Sequence, residues 1–253
     1  FCPLLLSCPA SWLPRPSTPT SSFTQELPPA ASSLLSATPG KSTLHLQSHH
    51  HLVSLRAVIS NMTITLNYFG IPGRAEATRI ALAYAGKEFD DNIMGFPEYG
   101  KSKWAGKGLP VLEMDGKEYT QSMALLRYAG KLGGLYPEDP LTALKVDEIV
   151  SIVEDVMAQL FKTSGASDDS IAKEILDGKV KTLLEVLIGK IKDNKSSTQF
   201  CVGDSLTIAE LQVHAMILNI EAGFMVGVPT TLIADSYPAL MEKTNTVMLD
   251  PKV

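Results

Sequence analysis

The 253-residue chain has no apolar run near the roughly 18 residues that a membrane-spanning helix needs, so no membrane partner is expected. It also lacks a cluster of lysine and arginine. Phosphate binding depends on clustered cations, so a chain of net charge −5 without such a cluster is not expected to bind nucleic acid. Only three cysteines are present, Cys2, Cys8 and Cys201, and their spacing fits neither a metal site nor a disulfide framework. No metal is expected, and a reducing, cytoplasmic compartment suits this usage. Acidic residues are scarce in one region: residues 1–61 contain only Glu26, against Arg15, Lys41 and Arg56, which leaves a net charge of −7 on residues 62–253.

Residues 1–61 also hold half of the prolines and four of the five histidines, and no helical or strand period persists there. Such a segment buries too little apolar surface to offset the entropy of ordering it, and is expected to be disordered. One reading is an organelle-targeting leader, Ser-rich and acid-poor. The other, slightly preferred, is a non-native extension, because the chain begins at Phe1 and Met62 directly precedes the first strand pattern. His49, His50 and His51 are read as incidental to a polar tract.

From Met62 the pattern changes. Residues 63–68 (TITLNY) alternate like a half-buried strand. Ala77, Ile80, Ala81 and Tyr84 follow at helical spacing, stopped by Gly86. A second strand is expected over residues 89–94. Asp115-Gly116 between residues 111–114 and 117–120 marks a hairpin, and residues 122–132 read as a helix ended by Gly133-Gly134. Residues 62–138 thus form a βαβ–ββα unit. Residues 136–140 read as a linker, and residues 141–253 as an all-helical domain. Apolar periodicity gives one long helix around residues 149–161 and another joining Ile171, Ile175, Leu183, Leu187 and Ile191. Thr207 and Glu210 form a capping box ahead of an apolar helix over residues 208–222, and Pro238 suits the first turn of a last helix. His214 reads as a core or interface histidine, and Cys201 as a small buried hydrophobe.

Three motifs carry chemistry. Tyr68-Phe69-Gly70-Ile71-Pro72-Gly73-Arg74-Ala75-Glu76 follows the first strand, Gly108-Leu109-Pro110-Val111 precedes the hairpin, and Thr120-Gln121-Ser122 precedes a helix. In this order they resemble the tyrosine-type cytosolic glutathione S-transferases, most closely the sigma class, over residues 62–253. The resemblance implies an α/β thioredoxin-like N-terminal domain followed by an all-α domain, acting as a homodimer in detoxification. It implies that Tyr68 donates its hydroxyl to the sulfur of glutathione. A free thiol titrates near 8.5, only the thiolate attacks electrophiles well, and a hydrogen bond to the charged form lowers that pKa. It implies a cis bond before Pro110 with the Leu109 backbone pairing with the cysteinyl part, and Gln121 and Ser122 at the γ-glutamyl carboxylate, with Ser122 as helix N-cap. Arg74 is placed with the glutathione-binding residues, serving structure or the electrostatics around Tyr68 rather than proton transfer. Phe96 and Lys101 fall at the positions that meet the glycine end, with Lys103 and Lys107 as rivals to Lys101. Asp155 matches an acid that reaches the γ-glutamyl amine across the dimer, or is simply part of a solvated acidic face.

Three functions remain in view. The first is conjugation of the glutathione thiolate to small apolar electrophiles. The second is a glutathione-dependent isomerase of the prostaglandin type, with glutathione as a recycled cofactor. The third is a non-enzymatic, crystallin-like or ligand-binding member of the fold. The electrophile pocket is expected around Phe69, Ile71 and residues 157–161. The ending at Asp250-Pro251-Lys252-Val253 suggests a C-terminal truncation relative to that family.

Overall fold

The computed structural model describes residues 63–165, 169–197 and 199–252; the expectations for residues 1–61 lie outside them. Strands β1 (Ile64–Phe69), β2 (Asp90–Met94), β3 (Val111–Met114) and β4 (Lys117–Tyr119) form one sheet in the order β2-β1-β3-β4. β1 runs parallel to β2, with Tyr68 opposite Ile93, and antiparallel to β3. A parallel pair requires a crossover, which α1 (Glu76–Tyr84) supplies. Asp115 and Gly116 both take positive φ (49° and 74°), as the two-residue turn between β3 and β4 demands.

Alternation along β1 assigns its side chains to two faces. Ile64, Leu66 and Tyr68 join Ala77, Ala81 and Leu82 of α1 and Leu125, Leu126 and Ala129 of α3 (Ser122–Gly133) in the main core. On the other face, Phe69 packs with Met94, Tyr99, Trp104, Leu109 and Val111 in a second, smaller cluster. Trp104, 7% exposed, is among the buried residues of this cluster. A short helix that the sequence did not signal, α2 (Phe96–Lys101), begins with Pro97 in its first turn and leads into that segment.

The helical half starts with α4 (Pro140–Leu160), where Pro140 occupies the first turn and the Asp139 carboxylate accepts from the Thr142 N–H at 2.8 Å. A 3₁₀ turn (Phe161–Gly165) follows. The helix expected across residues 171–191 is in fact three pieces: α5 (Asp169–Ile175), a π-helical turn (Leu176–Val180) and α6 (Lys181–Lys192). Gly178 lies in the π turn, whose wider winding rotates the following face relative to a straight helix. Ala172 and Val180 are consequently buried while Ile171 is exposed.

The apolar helix is α7 (Ile208–Glu221), followed by α8 (Leu232–Ser236) and α9 (Pro238–Met248). The capping box is present: Thr207 Oγ1 accepts from the Ala209 N–H, and the Glu210 carboxylate accepts from the Thr207 N–H at 2.8 Å. Twelve of the fourteen residues of α7 are buried, so it is a central helix rather than an amphipathic one. It packs on α1, α3, α4 and α9, joining the two halves in one core. Among the described residues no helix is long and apolar enough to cross a membrane.

Candidate functional site

The loop after β1 brings Tyr68 and Arg74 together. The Tyr68 ring is buried, and its oxygen accepts a hydrogen bond from the backbone N–H of Arg74 at 2.9 Å. That bond occupies a lone pair and leaves the hydroxyl proton for another acceptor. Burial pushes the Tyr68 pKa above its ordinary value; the Arg74 N–H and the positive charges of Arg74 and Arg79 act in the opposite direction, and Glu154 adds to the rise. The hydroxyl is therefore protonated at neutral pH, as a donor must be.

Arg79 shapes the same loop and was not singled out from sequence. Its guanidinium donates to the carbonyls of Ile71 (3.0 Å) and Phe69 (3.1 Å), pairs with Asp91 (2.9 Å) and Glu76 (3.1 Å), and lies over the Tyr68 ring at 5.7 Å. A planar donor with several N–H groups is suited to tying several carbonyls at once.

A cavity of about 310 Å³ is lined by Arg74, Lys107, Gly108, Leu109, Pro110, Thr120, Gln121, Ser122 and Glu154. Arg74, Leu109, Pro110, Gln121 and Ser122, all singled out from sequence, therefore meet around one space. The Leu109–Pro110 peptide bond is cis. Gln121 has φ of 73°, a left-handed conformation that is costly for a residue with a Cβ and that clusters at ligand sites. The expected cap is corrected here: Gln121 occupies the N-cap position without a side-chain bond, and Ser122 is the first helical residue. Because the Ser122 side chain is not engaged in capping, its hydroxyl stays available to the cavity, beside the first amides of α3, which have no intrahelical acceptor.

The segment before Gly108 is distributed differently from the sequence pattern. Lys107 lines the cavity, whereas Lys101 and Phe96 do not. Phe96 is 73% exposed and stacks on Phe69 with ring centroids 4.7 Å apart. Lys103 is held on the hairpin by Glu113 (2.6 Å) and Glu118 (2.7 Å), which raise its pKa. Asp155 is exposed and outside the lining.

Glu154, its neighbour on α4, forms an ion pair with Arg74 at 2.8 Å, and Arg74 also lies 5.3 Å over the Phe161 ring. Burial pushes the Glu154 carboxyl above its usual range against the pull of Arg74. Its Oε2 is buried without a hydrogen-bond partner among the described residues. An orphaned carboxylate oxygen at a cavity wall is a place for a cationic ligand group. The sequence signal for Glu154 was only its place in an acidic run.

His214 is buried on α7, and burial lowers its pKa; burial and the Glu210 carboxylate push the Cys201 thiol well up. Both groups are uncharged at neutral pH. Other cavities, of about 370 and 590 Å³, hold none of the motif residues.

Residues 64–131 match the family described as glutathione S-transferase, N-terminal domain, and residues 152–253 match the corresponding C-terminal domain. Glutathione S-transferase 2 of Manduca sexta is 30% identical over 197 residues, covering 75% of this chain and 93% of that relative. Hematopoietic prostaglandin D synthase of Gallus gallus is 31% identical over 197 residues, covering 74% and 92%. Among solved structures, monomeric Na-GST-3, a glutathione S-transferase from the hookworm Necator americanus, aligns with a TM-score of 0.61 at 27% identity, over 75% of this chain and 93% of its own. Likeness in sequence and fold extends through both halves of the molecule, and the chain belongs to the glutathione S-transferase family.

Proposed function

We propose that the chain is a glutathione transferase in which the Tyr68 hydroxyl donates a hydrogen bond to the glutathione sulfur and holds it as thiolate for attack on a small apolar electrophile. The observation that carries this reading is the Tyr68 oxygen held at 2.9 Å by the Arg74 N–H, with its own proton left to donate. The cavity suits the tripeptide at both ends. The amides at the start of α3, with Ser122 and Gln121, suit a carboxylate. The orphaned Glu154 Oε2 suits the γ-glutamyl ammonium, a role expected from sequence for Asp155 of a second copy. Lys107 suits the glycine carboxylate, and the Leu109 backbone, in the same lining, suits the cysteinyl part. Holding thiolate and electrophile together adds proximity to activation. A reducing, cytoplasmic setting keeps the tripeptide as a thiol.

Tyr68→Phe removes the donor and almost no volume. With chlorodinitrobenzene as electrophile, we expect kcat to fall about 100-fold while glutathione binding persists. The thiolate absorbance of bound glutathione should disappear in the variant; its survival would overturn the role of Tyr68. The similarity to a prostaglandin D synthase favours one second reading, isomerisation of a lipid endoperoxide with glutathione recycled. Turnover of such a substrate without net loss of glutathione would select it. Failure to bind glutathione at all would leave the non-enzymatic reading. A homodimer is the proposed assembly, and light scattering decides between it and the monomer named for the Necator relative.

A further inference from the structure

The peptide unit whose N–H binds Tyr68 is gripped from the helical half. Asn219, on α7, accepts from the Gly73 N–H at 2.8 Å, and its Nδ2 donates to the Gly73 carbonyl at 3.0 Å and to the Ala215 carbonyl at 2.7 Å. Both Nδ2 hydrogens and the oxygen are thus used, which fixes the orientation of the amide. Asn219 is 1% exposed and stands among Ile217, Leu218 and Ile220, where an unpaired amide would be costly. Gly73 leaves little room for adjustment: its φ is +50°, and a Cβ there would run into the Tyr68 hydroxyl and ring.

The Gly73 carbonyl and the Arg74 N–H belong to one planar peptide group. Whatever holds the carbonyl therefore aims the N–H. A carbonyl that accepts a hydrogen bond also polarises its amide, which strengthens the N–H as a donor. The geometry points to Asn219 as a positioning residue for thiol activation, holding the Gly73–Arg74 peptide by its carbonyl so that the opposite N–H meets the Tyr68 oxygen. This rests on the Tyr68 reading above and adds a residue 151 positions away in sequence, on a helix that lines no part of the 310 Å³ cavity.

A double-mutant cycle on the full chain tests it. Asn219→Ala is expected to lower kcat for glutathione conjugation about tenfold with little change in KM for glutathione, and to raise the pKa of the bound thiol read from thiolate absorbance. In the Tyr68→Phe background the same change is expected to lower kcat less than about twofold, because its effect runs through the missing hydroxyl. A loss that is purely one of fold stability would instead appear equally in both backgrounds. If Asn219→Ala fails to fold, Asn219→Ser, which retains a hydroxyl able to make one of the bonds, is read in the same cycle. An additive cycle, or a folded variant with unchanged kcat and thiolate, overturns the inference while leaving Tyr68 in place. A Tyr68→Phe variant as active as the parent overturns both readings.

Discussion

The sheet-bearing half, residues 64–133, and the helical half, from Pro140 onward, are built to different ends. The first concentrates irregular backbone: the loop from Gly70 to Ala75, the left-handed Gln121 and the turn at Asp115-Gly116. Loop backbone lacks ladder hydrogen bonds of its own and leaves amides and carbonyls for ligands. The second half is mostly helical and apolar, and two of its buried polar residues are bonded inward: Glu210 to the Thr207 and Cys201 amides, Asn219 to Gly73. The irregular loop after β1 is thus tied, at Gly73, to a buried helix of the other half.

The sharpest way to break that division is at Glu210. Glu210→Ala orphans two buried amides and the Thr207 hydroxyl, and is expected to cost about 3 kcal/mol of stability. In a thermal melt at fixed pH the midpoint should drop, while kcat per folded molecule stays as in the parent. A fall in kcat at an unchanged midpoint would show that stability and chemistry are not divided between the halves. Next in size, Lys107→Ala is expected to raise KM for glutathione about fivefold, equivalent to about 1 kcal/mol. Lys101→Ala is expected to change KM less than about twofold. Steady-state kinetics with glutathione as the varied substrate reads both, and the reverse ranking would return the glycine end to α2. A smaller effect than that of Lys107→Ala is expected at Gln121. In Gln121→Gly, relief of the left-handed backbone and the added freedom of the unfolded chain oppose each other, so denaturant unfolding should shift by less than about 1 kcal/mol. KM for glutathione should still rise about threefold, because the preorganised turn is loosened.

Local structure was legible wherever one residue type was demanded by one backbone shape. Asp115-Gly116 gave the turn, Gly133-Gly134 the helix end, Thr207 with Glu210 the start of α7, and Leu109-Pro110 with Gln121-Ser122 the edge of the cavity. What escaped depends on distance. Nothing local in an apolar stretch announces that Asn219 will meet Gly73, 146 residues earlier, although an Asn in such a stretch is itself a signal that a partner exists. The choice among Lys101, Lys103 and Lys107 turned on a short helix and a buried Trp104, neither of which periodicity resolves in so brief a segment. The π turn escaped for a similar reason: the apolar spacing from 171 to 191 fits a straight helix, and only the packing of Ala172 and Val180 shows the extra winding.

The burial of α7 on nearly every side has a consequence for how this sequence can drift. A helix with one wet face accepts substitutions there at no cost to the fold. α7 offers only Leu218, half-buried, and Glu221, exposed, as positions where a new side chain would meet solvent rather than a neighbour. In a saturation library, the stretch from Ile208 to Ile220 should therefore form a nearly unbroken band of intolerance, and because the helix touches α1 as well as α4 and α9, changes that survive in it should require a matching change in another element.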